Sequence, residues 1–449
     1  MHLLSSPLLT DLYQLTMLQA YFAGGMNGTA VFELFVRKLP EGRNFFMAAG
    51  LEQALAFIGQ LRFTDEELQW IEASGLFRPD FARRLAELRF TGDVHAMPEG
   101  TVFFPNEPVL RVTAPLPEAQ LLETRVLNLI HLETVIASKA ARVVLAAEGK
   151  RLIDFGLRRS HGAEAGLLAA RAAYLAGFEG TSTVYAGCEW GIPVFGTMAH
   201  SFVQAHRTEA QAFERFIEVF PDNAVLLIDT YDTVGAAHKV AEISRALAAR
   251  GIRPKGVRLD SGNLAQLSRE VRAVLDAADL RDAFIFASGN LDEYRIAGLL
   301  AQGAPIDAFG VGSSLVTSSD APVLDAVYKL QEYDGTARRK RSPGKATWPG
   351  RKQVYRRCDA DGRVVRDLVT LETEPGDGEA LLEPVMRNGR RTAQAPSLQA
   401  SRTYARSQLD RLPVWLRTLS DSVEPYRVEI SPSLVALAET LDRASSAPA

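Results

Sequence analysis

"AFIFASG" at 283–289 and "IDAFGVG" at 306–312 decide how the rest of the chain is read. Each is a short apolar run that stops on glycine or a small polar residue, the form of a buried strand followed by a tight exit. Working outward, the form recurs in "RLIDFG" (151–156), "GTSTVYAG" (180–187), "IPVFGTM" (192–198), "AVLLIDT" (224–230) and "GVRLDSG" (256–262). Helical stretches such as "TVGAAHKVAEISRALAAR" (233–250) separate several of these runs. The alternation is that of repeated βα units around a parallel sheet. The expected fold is α/β: an irregular, TIM-like parallel βα barrel of about seven strands rather than an open sheet.

Upstream, "AVFELFVRKL" (30–39) is β-rich and partly alternating, and "LPEGRNFF" turns the chain towards a helix near Leu51. "EAQLLETRVLNLIHLETVIASKAARVVLAAE" (118–148) reads as a mostly helical bridge. Downstream of Val323 the rhythm changes to short strands with turns at Tyr333-Asp334-Gly335 and Asp361-Gly362. The expected organisation is an N-terminal α/β domain over 1–117, a barrel with its bridging helix and the active site over 118–322, and a mainly β, then mixed, region over 323–449 that joins the N-terminal domain.

Of 449 residues, 47% are hydrophobic and 23% charged, which fits a soluble globular chain with order expected everywhere but "RASSAPA" at the end. Fifty basic against 54 acidic residues give a net charge of -4, so nothing draws the chain to nucleic acid. Cys188 and Cys358 have neither metal-ligand nor redox spacing, which favours a cytoplasmic setting. The N-terminal stretch lacks a basic n-region, and Asp11 interrupts its apolar run. It reads as an amphipathic helix with a stripe beginning at Leu12, Leu15, Leu18 and Gln19, rather than as a signal peptide or membrane span.

Chemistry-bearing side chains collect at the strand exits, where parallel α/β folds bind ligands. "DFGLRRSHG" places Arg158 and Arg159 after one strand. Their guanidiniums can form surface ion pairs or fork onto carboxylate or phosphate, with charge-assisted bonds of roughly 1.5–3 kcal/mol each. His161 reads as structural. In "VRLDSG", Arg258 and Asp260 project to one side of a strand. They suit either an internal ion pair or a sugar phosphate, with the aspartate on ribose hydroxyls or a metal. Gly289, Gly310 and Gly312 allow close backbone approach, and Ser313 and Ser314 offer hydroxyls to a phosphate, although glycines also serve ordinary turns.

His200 in "GTMAHSF" can be an acid, a base, a phosphoryl acceptor or a hydrogen-bonded structural histidine; no second His or Cys stands at zinc spacing. His206 would face elsewhere on a helix. Asp229 in "LLIDTYD" is able to fix the tautomer of His200. "ARRKRSPGK" (337–345) is either a solvated hairpin face or a reach towards polyphosphate.

In order along the chain, "LTDLYQLTML", "FELFVRKLP", "DFGLRRSHG", "GTSTV", "GTMAHSF", "RLDSG" and "SPGKATWPGRKQVYR" closely resemble nicotinate phosphoribosyltransferases, of the type II phosphoribosyltransferase family. The resemblance implies synthesis of nicotinate mononucleotide and pyrophosphate from nicotinate and 5-phosphoribosyl 1-pyrophosphate, coupled to ATP hydrolysis through a phosphohistidine at His200. It implies a homodimer with Tyr13 stacked on the pyridine ring across the interface. Leu157, Arg158 and Thr197 would help form the nicotinate pocket, Arg258 would meet the ligand's charged groups, and Asp260 the ribose. Ser313 with Gly289, Asn290, Gly310 and Gly312 would hold the 5′-phosphate, and Asp229 would orient His200. Mg2+ is expected with ATP and pyrophosphate, its ligands unassigned.

Nicotinamide phosphoribosyltransferases are the nearest rival and resemble the chain at Asn263, where nicotinate enzymes commonly carry aspartate. Ser182 stands where the nicotinamide enzymes typically carry aspartate; a neutral serine accepts a carboxylate that an aspartate would repel. A non-catalytic metabolite-binding relative would be expected to have lost His200, Arg258 or Asp260. Other phosphate-binding barrel enzymes would want a catalytic lysine at a strand end, and none appears.

Overall fold

The computed structural model describes residues 5–248 and 251–444. The tail expected to lack order lies, from Ser445 onward, outside the described residues. The chain forms two compact units, one running to Ser138 and resuming at Val323, the other spanning Lys139–Pro322.

In the first unit a helix runs over Leu12–Ala23 after Asp11. Leu15 and Leu18 are buried, but Leu12 is exposed, and the third buried position is Gln14. That differs from the expected stripe because Gln14 has polar company: its Nε2 donates to Glu123 Oε2 at 3.0 Å and its Oε1 accepts from Gln120. Strand Thr29–Val36 is buried at every position after Thr29 rather than alternating. It lies between two antiparallel partners, Leu110–Pro115 and Ala326–Tyr333, in a seven-stranded sheet. Glu33 tolerates this burial because Lys352 Nζ is 2.8 Å away and equally buried. The expected helical bridge is two helices, Leu116–Leu121 and Glu123–Ala146, the second 24 residues long.

The second unit holds six parallel strands, numbered here within that unit: β1 Arg151–Asp154, β2 Gly180–Thr181, β3 Val225–Leu227, β4 Gly256–Leu259, β5 Phe284–Ala287 and β6 Ala308–Val311. Their order is β2-β1-β6-β5-β4-β3. In register, Asp154 stands opposite Thr181 and Val311, and Phe286 opposite Arg258 and Ala308. "IPVFGTM", expected as a further strand, contributes only an isolated parallel bridge between Val194 and Thr181. Pro193 has no N–H to donate, so pairing is limited to its carbonyl, which accepts from Thr181 N–H, and to Phe195 N–H on Thr181 O. At the far edge, Thr197 Oγ1 donates to Val225 O at 2.6 Å.

Helices α1 (Ala163–Ala176), α2 (Val184–Trp190), α3 (His200–Gln204), α4 (Glu209–Val219), α5 (Thr233–Ala248), α6 (Leu264–Ala277), α7 (Glu293–Ala301) and α8 (Ser313–Val316) link the strands. Their starts are written in the sequence: Asn263 accepts from Gln266 N–H at the head of α6, and Asp292 from Arg295 N–H at the head of α7. On α6, Ala265, Ser268, Val271 and Leu275 are buried at helical spacing. Ile153, Phe286 and Ala308 form a core with Phe155, Phe195 and Phe284 packed against it. Because all six strands run parallel, their polar C-terminal exits gather along one edge.

Candidate active site

Arg258, Asp260 and Ser288 form the best-ordered constellation on that edge. Arg258 donates through Nε to Ser288 Oγ at 2.9 Å and through Nη2 to Asp260 Oδ1 at 2.7 Å. Ser288 Oγ in turn donates to Asp260 Oδ1 at 2.5 Å. The guanidinium carbon also lies 5.3 Å from the centroid of the Phe155 ring, so both faces of its chemistry, charge and plane, are fixed. Burial pushes the Asp260 carboxyl up. The Ser288 hydroxyl, Arg258 and nearby His200 outweigh it and hold Asp260 below the usual carboxylate range. The internal ion pair is therefore made, and Asp260 stays anionic and available on its other oxygen.

Asp229 follows β3 and turns towards the β4 exit, where its Oδ2 accepts from Asp260 N–H at 3.0 Å and Ser261 Oγ at 2.5 Å. Its Oδ1 is buried without a hydrogen-bond partner among the described residues. The expected contact between Asp229 and His200 is replaced. His200, first residue of α3 and half-buried, has Nδ1 3.1 Å from Thr230 Oγ1, while the Asp229 carboxylate turns its Oδ2 to the β4 loop. His206 Nδ1 binds Phe202 O at 2.7 Å, an ordinary helix-end contact.

A second group surrounds Asp154. Fully buried at the end of β1, it accepts from Gly156 N–H at 2.8 Å and Thr181 Oγ1 at 2.7 Å. Burial pushes its carboxyl up to about 6. Its carbonyl accepts from Ser182 N–H at 2.8 Å, so one residue ties the loop bearing Leu157 and Arg158 to the loop bearing Ser182. Leu157, Arg158 and Arg159 form a 3-10 turn and are exposed. Thr197 lines a cavity of about 260 Å³ with Phe155, Phe195 and Phe286, but its hydroxyl is spent on Val225 O.

At the β5 exit, Gly289 has φ +94°, and an added Cβ would lie 1.9 Å from Asp260 O, so only glycine fits. Asn290 follows with φ +51°. Asp260, Gly289, Asn290, Asn263 and Arg295 line a cavity of about 540 Å³. Gly310 has a plainer reason than ligand approach: a Cβ there would be 2.8 Å from both the Phe155 and Phe286 rings. Ser313 is exposed at the head of α8, whereas Ser314 Oγ donates to Leu291 O at 2.5 Å and joins the β5 and β6 exit loops. In the other unit, Tyr13 is 46% exposed. The basic run there is partly tied down: Arg339 pairs with Asp442 at 3.2 Å and Arg341 donates to the Asp442 carbonyl.

Asp154, Ser288 and Thr230 were missed in the sequence. Each is a polar residue at the exit of an apolar run, the same signal that marked Asp229 and Asp260.

Family models for the nicotinate phosphoribosyltransferase N-terminal domain, the nicotinate phosphoribosyltransferase family and its C-terminal domain match residues 8–131, 150–336 and 376–438. The chain belongs to the nicotinate phosphoribosyltransferase family. Nicotinate phosphoribosyltransferase pncB2 of Mycobacterium tuberculosis is 51% identical over 443 residues, spanning 98% of this chain and 95% of the relative. The Bacillus subtilis nicotinate phosphoribosyltransferase is 44% identical over 355 residues, 77% and 72% of the two chains. The crystal structure of human nicotinic acid phosphoribosyltransferase superposes with a TM-score of 0.86 at 32% identity, over 96% of this chain and 99% of that one. As a member of the nicotinate phosphoribosyltransferase family, the chain is an enzyme of NAD biosynthesis. No helix among the described residues is long and apolar enough to cross a membrane.

Proposed function

We propose that the strand-exit edge of the second unit joins nicotinate to 5-phosphoribosyl 1-pyrophosphate, giving nicotinate mononucleotide and pyrophosphate, with ATP coupled through phosphorylation of His200. The observation that carries this reading is the fixed Arg258–Asp260–Ser288 group with His200 beside it. The pyridine nitrogen attacks ribose C1 with its own lone pair, and the C1–oxygen bond to pyrophosphate breaks, its electron pair leaving with pyrophosphate. No proton has to be removed from the nucleophile. Asp260 accepts ribose hydroxyls and offsets positive charge building on the sugar, and Arg258 meets anionic oxygen. Ser313 and Gly312 at the β6 exit and Gly289 and Asn290 at the β5 exit receive the 5′-phosphate. Leu157, Arg158 and Ser182 flank the base, with Asp154 fixing their two loops relative to each other.

Mg2+ fits the oxygen donors present. Asp229 Oδ1 is a buried acceptor in want of a partner, and Asp260 adds a second hard oxygen. No group of three acidic, histidine or cysteine side chains stands ready to hold a metal among the described residues, so phosphates and water would supply the remaining ligands. When bound, the ion neutralises charge on the departing pyrophosphate. The sheet is read as an irregular seven-stranded barrel, supported by the Thr181–Val194 bridge at one edge and the Thr197–Val225 hydrogen bond at the other. The enzyme is read as a cytoplasmic homodimer in which exposed Tyr13 covers the base of the neighbouring subunit.

Selectivity tests the pocket. Ser182→Asp is expected to raise KM for nicotinate by roughly tenfold or more, through carboxylate repulsion, while leaving KM for phosphoribosyl pyrophosphate near wild type. Equal use of nicotinate by wild type and Ser182→Asp would remove Ser182 from the pocket.

A further inference from the structure

Below the two phosphate loops lies a buried ion cluster that the reaction itself does not use. Lys139 Nζ contacts Glu293 Oε2 at 2.6 Å and Asp320 Oδ1 at 2.7 Å, and Arg142 Nε contacts the other Glu293 oxygen at 3.0 Å. The Lys139 and Glu293 side chains are 2% and 0% exposed, and Asp320 is 23% exposed. Arg142 Nη2 also donates to Tyr294 Oη at 2.9 Å. Lys139 and Arg142 stand three residues apart on the long helix Glu123–Ala146, on one face. Their two acidic partners lie on different segments. Glu293 opens α7, immediately after the Gly289–Asp292 loop, and Asp320 closes the segment that follows α8.

Buried ion pairs contribute little net stability compared with apolar packing, but their directional contacts fix where segments sit. Two cations against two carboxylates leave this cluster neutral, which makes its burial tolerable. The β5 and β6 exit loops are joined at their tips by Ser314 Oγ on Leu291 O and at their downstream ends through the single ammonium of Lys139.

We infer that Lys139 is a positioning residue that sets the spacing of the two loops holding the phosphoribosyl 5′-phosphate; this rests on the reading that those loops bind it. The part of the helix Glu123–Ala146 from Lys139 onward thereby acts as the fixed rail against which both loops are registered.

The test uses Asp320→Asn in the full-length enzyme, because it releases one arm of the lysine without leaving the buried Glu293 unpaired. KM for phosphoribosyl pyrophosphate is expected to rise about tenfold and KM for nicotinate to stay within about twofold, since small displacements at a binding site are costly, with some loss of thermal stability because the cluster then carries one uncompensated positive charge. Asp320→Glu, which keeps the carboxylate, restores a KM near wild type. Loss of thermal stability with an unchanged KM for phosphoribosyl pyrophosphate, or a parallel change for both substrates, overturns the inference. Ser313→Glu separates it from the parent reading by putting negative charge in the β6 loop itself. A raised KM in Ser313→Glu but not in Asp320→Asn sinks the role of Lys139 alone; no change in either variant removes the β6 loop from phosphoribosyl binding and overturns the inference with it.

Discussion

At His200 the imidazole meets a hydroxyl where the sequence offered a carboxylate. Thr230 and Asp229 are neighbours in the chain; in the fold Thr230 Oγ1 reaches the ring while Asp229 Oδ2 turns to Asp260 N–H and Ser261 Oγ, a choice that no local sequence signal makes. Asp154 makes a sharper prediction. Its carboxyl titrates near 6 in the folded enzyme against about 3.9 in an unfolded chain, so the native state holds this proton to higher pH. The sign follows: the favourable contribution is complete below about 3.9 and is lost as pH rises through about 6. At neutral pH the ionised form costs roughly 2–3 kcal/mol. Asp154→Asn is therefore expected to gain stability relative to wild type by about that amount between pH 4 and pH 7, measured by denaturant melts across the range. A difference independent of pH would show that Asp154 does not titrate in this window. The same variant cannot accept from both Gly156 N–H and Thr181 Oγ1, so KM for nicotinate should rise.

Elements were legible where one short-range signal settled them. Five of the six strands of the parallel sheet coincide with apolar runs ending in small or polar residues, while "GTSTVYAG" yields only the strand Gly180–Thr181 before α2 takes its apolar half; the caps Asn263 and Asp292 mark helix starts by their chemistry alone. "IPVFGTM" has the same composition, but a proline near its start limits it to a bridge; run length and hydrophobicity do not report hydrogen-bond supply. Strand Thr29–Val36 was legible as a strand, not as a buried one, because its partner Ala326–Tyr333 lies almost three hundred residues away. Asn263, where the resemblance leads to an expectation of aspartate, caps α6 by accepting from Gln266 N–H. Asn263→Asp keeps the cap and is expected to retain activity within about twofold; Asn263→Ala should cost about 1 kcal/mol of stability. A large activity loss in Asn263→Asp with an intact fold would mean that the side chain contacts substrate rather than only the helix.

At the scale of the whole molecule, the site-bearing unit is continuous in sequence while the other unit is assembled from both ends of the chain. Motif order reveals the first arrangement, and the change of rhythm after Val323 points to the second, whereas the strand pairing that joins the two ends leaves no local trace. Tyr13 belongs to the composite unit and is exposed on its helix, as a residue offered to a neighbouring subunit would be. Tyr13→Ala is expected to raise KM for nicotinate by roughly tenfold without altering KM for phosphoribosyl pyrophosphate, with sedimentation reporting a dimer for both proteins. A monomeric wild-type enzyme with full activity would contradict the shared site.

The role of His200 is tested most directly by incubating wild type and His200→Ala with ATP labelled at the γ-phosphate, then following protein-bound label and nicotinate mononucleotide formation in the same samples. Acid-labile label is expected on wild type alone, with ATP stimulating turnover only in wild type and a residual ATP-independent reaction surviving in His200→Ala. Equal labelling of both proteins, or undiminished ATP stimulation in His200→Ala, would show that the phosphoryl group passes through another residue.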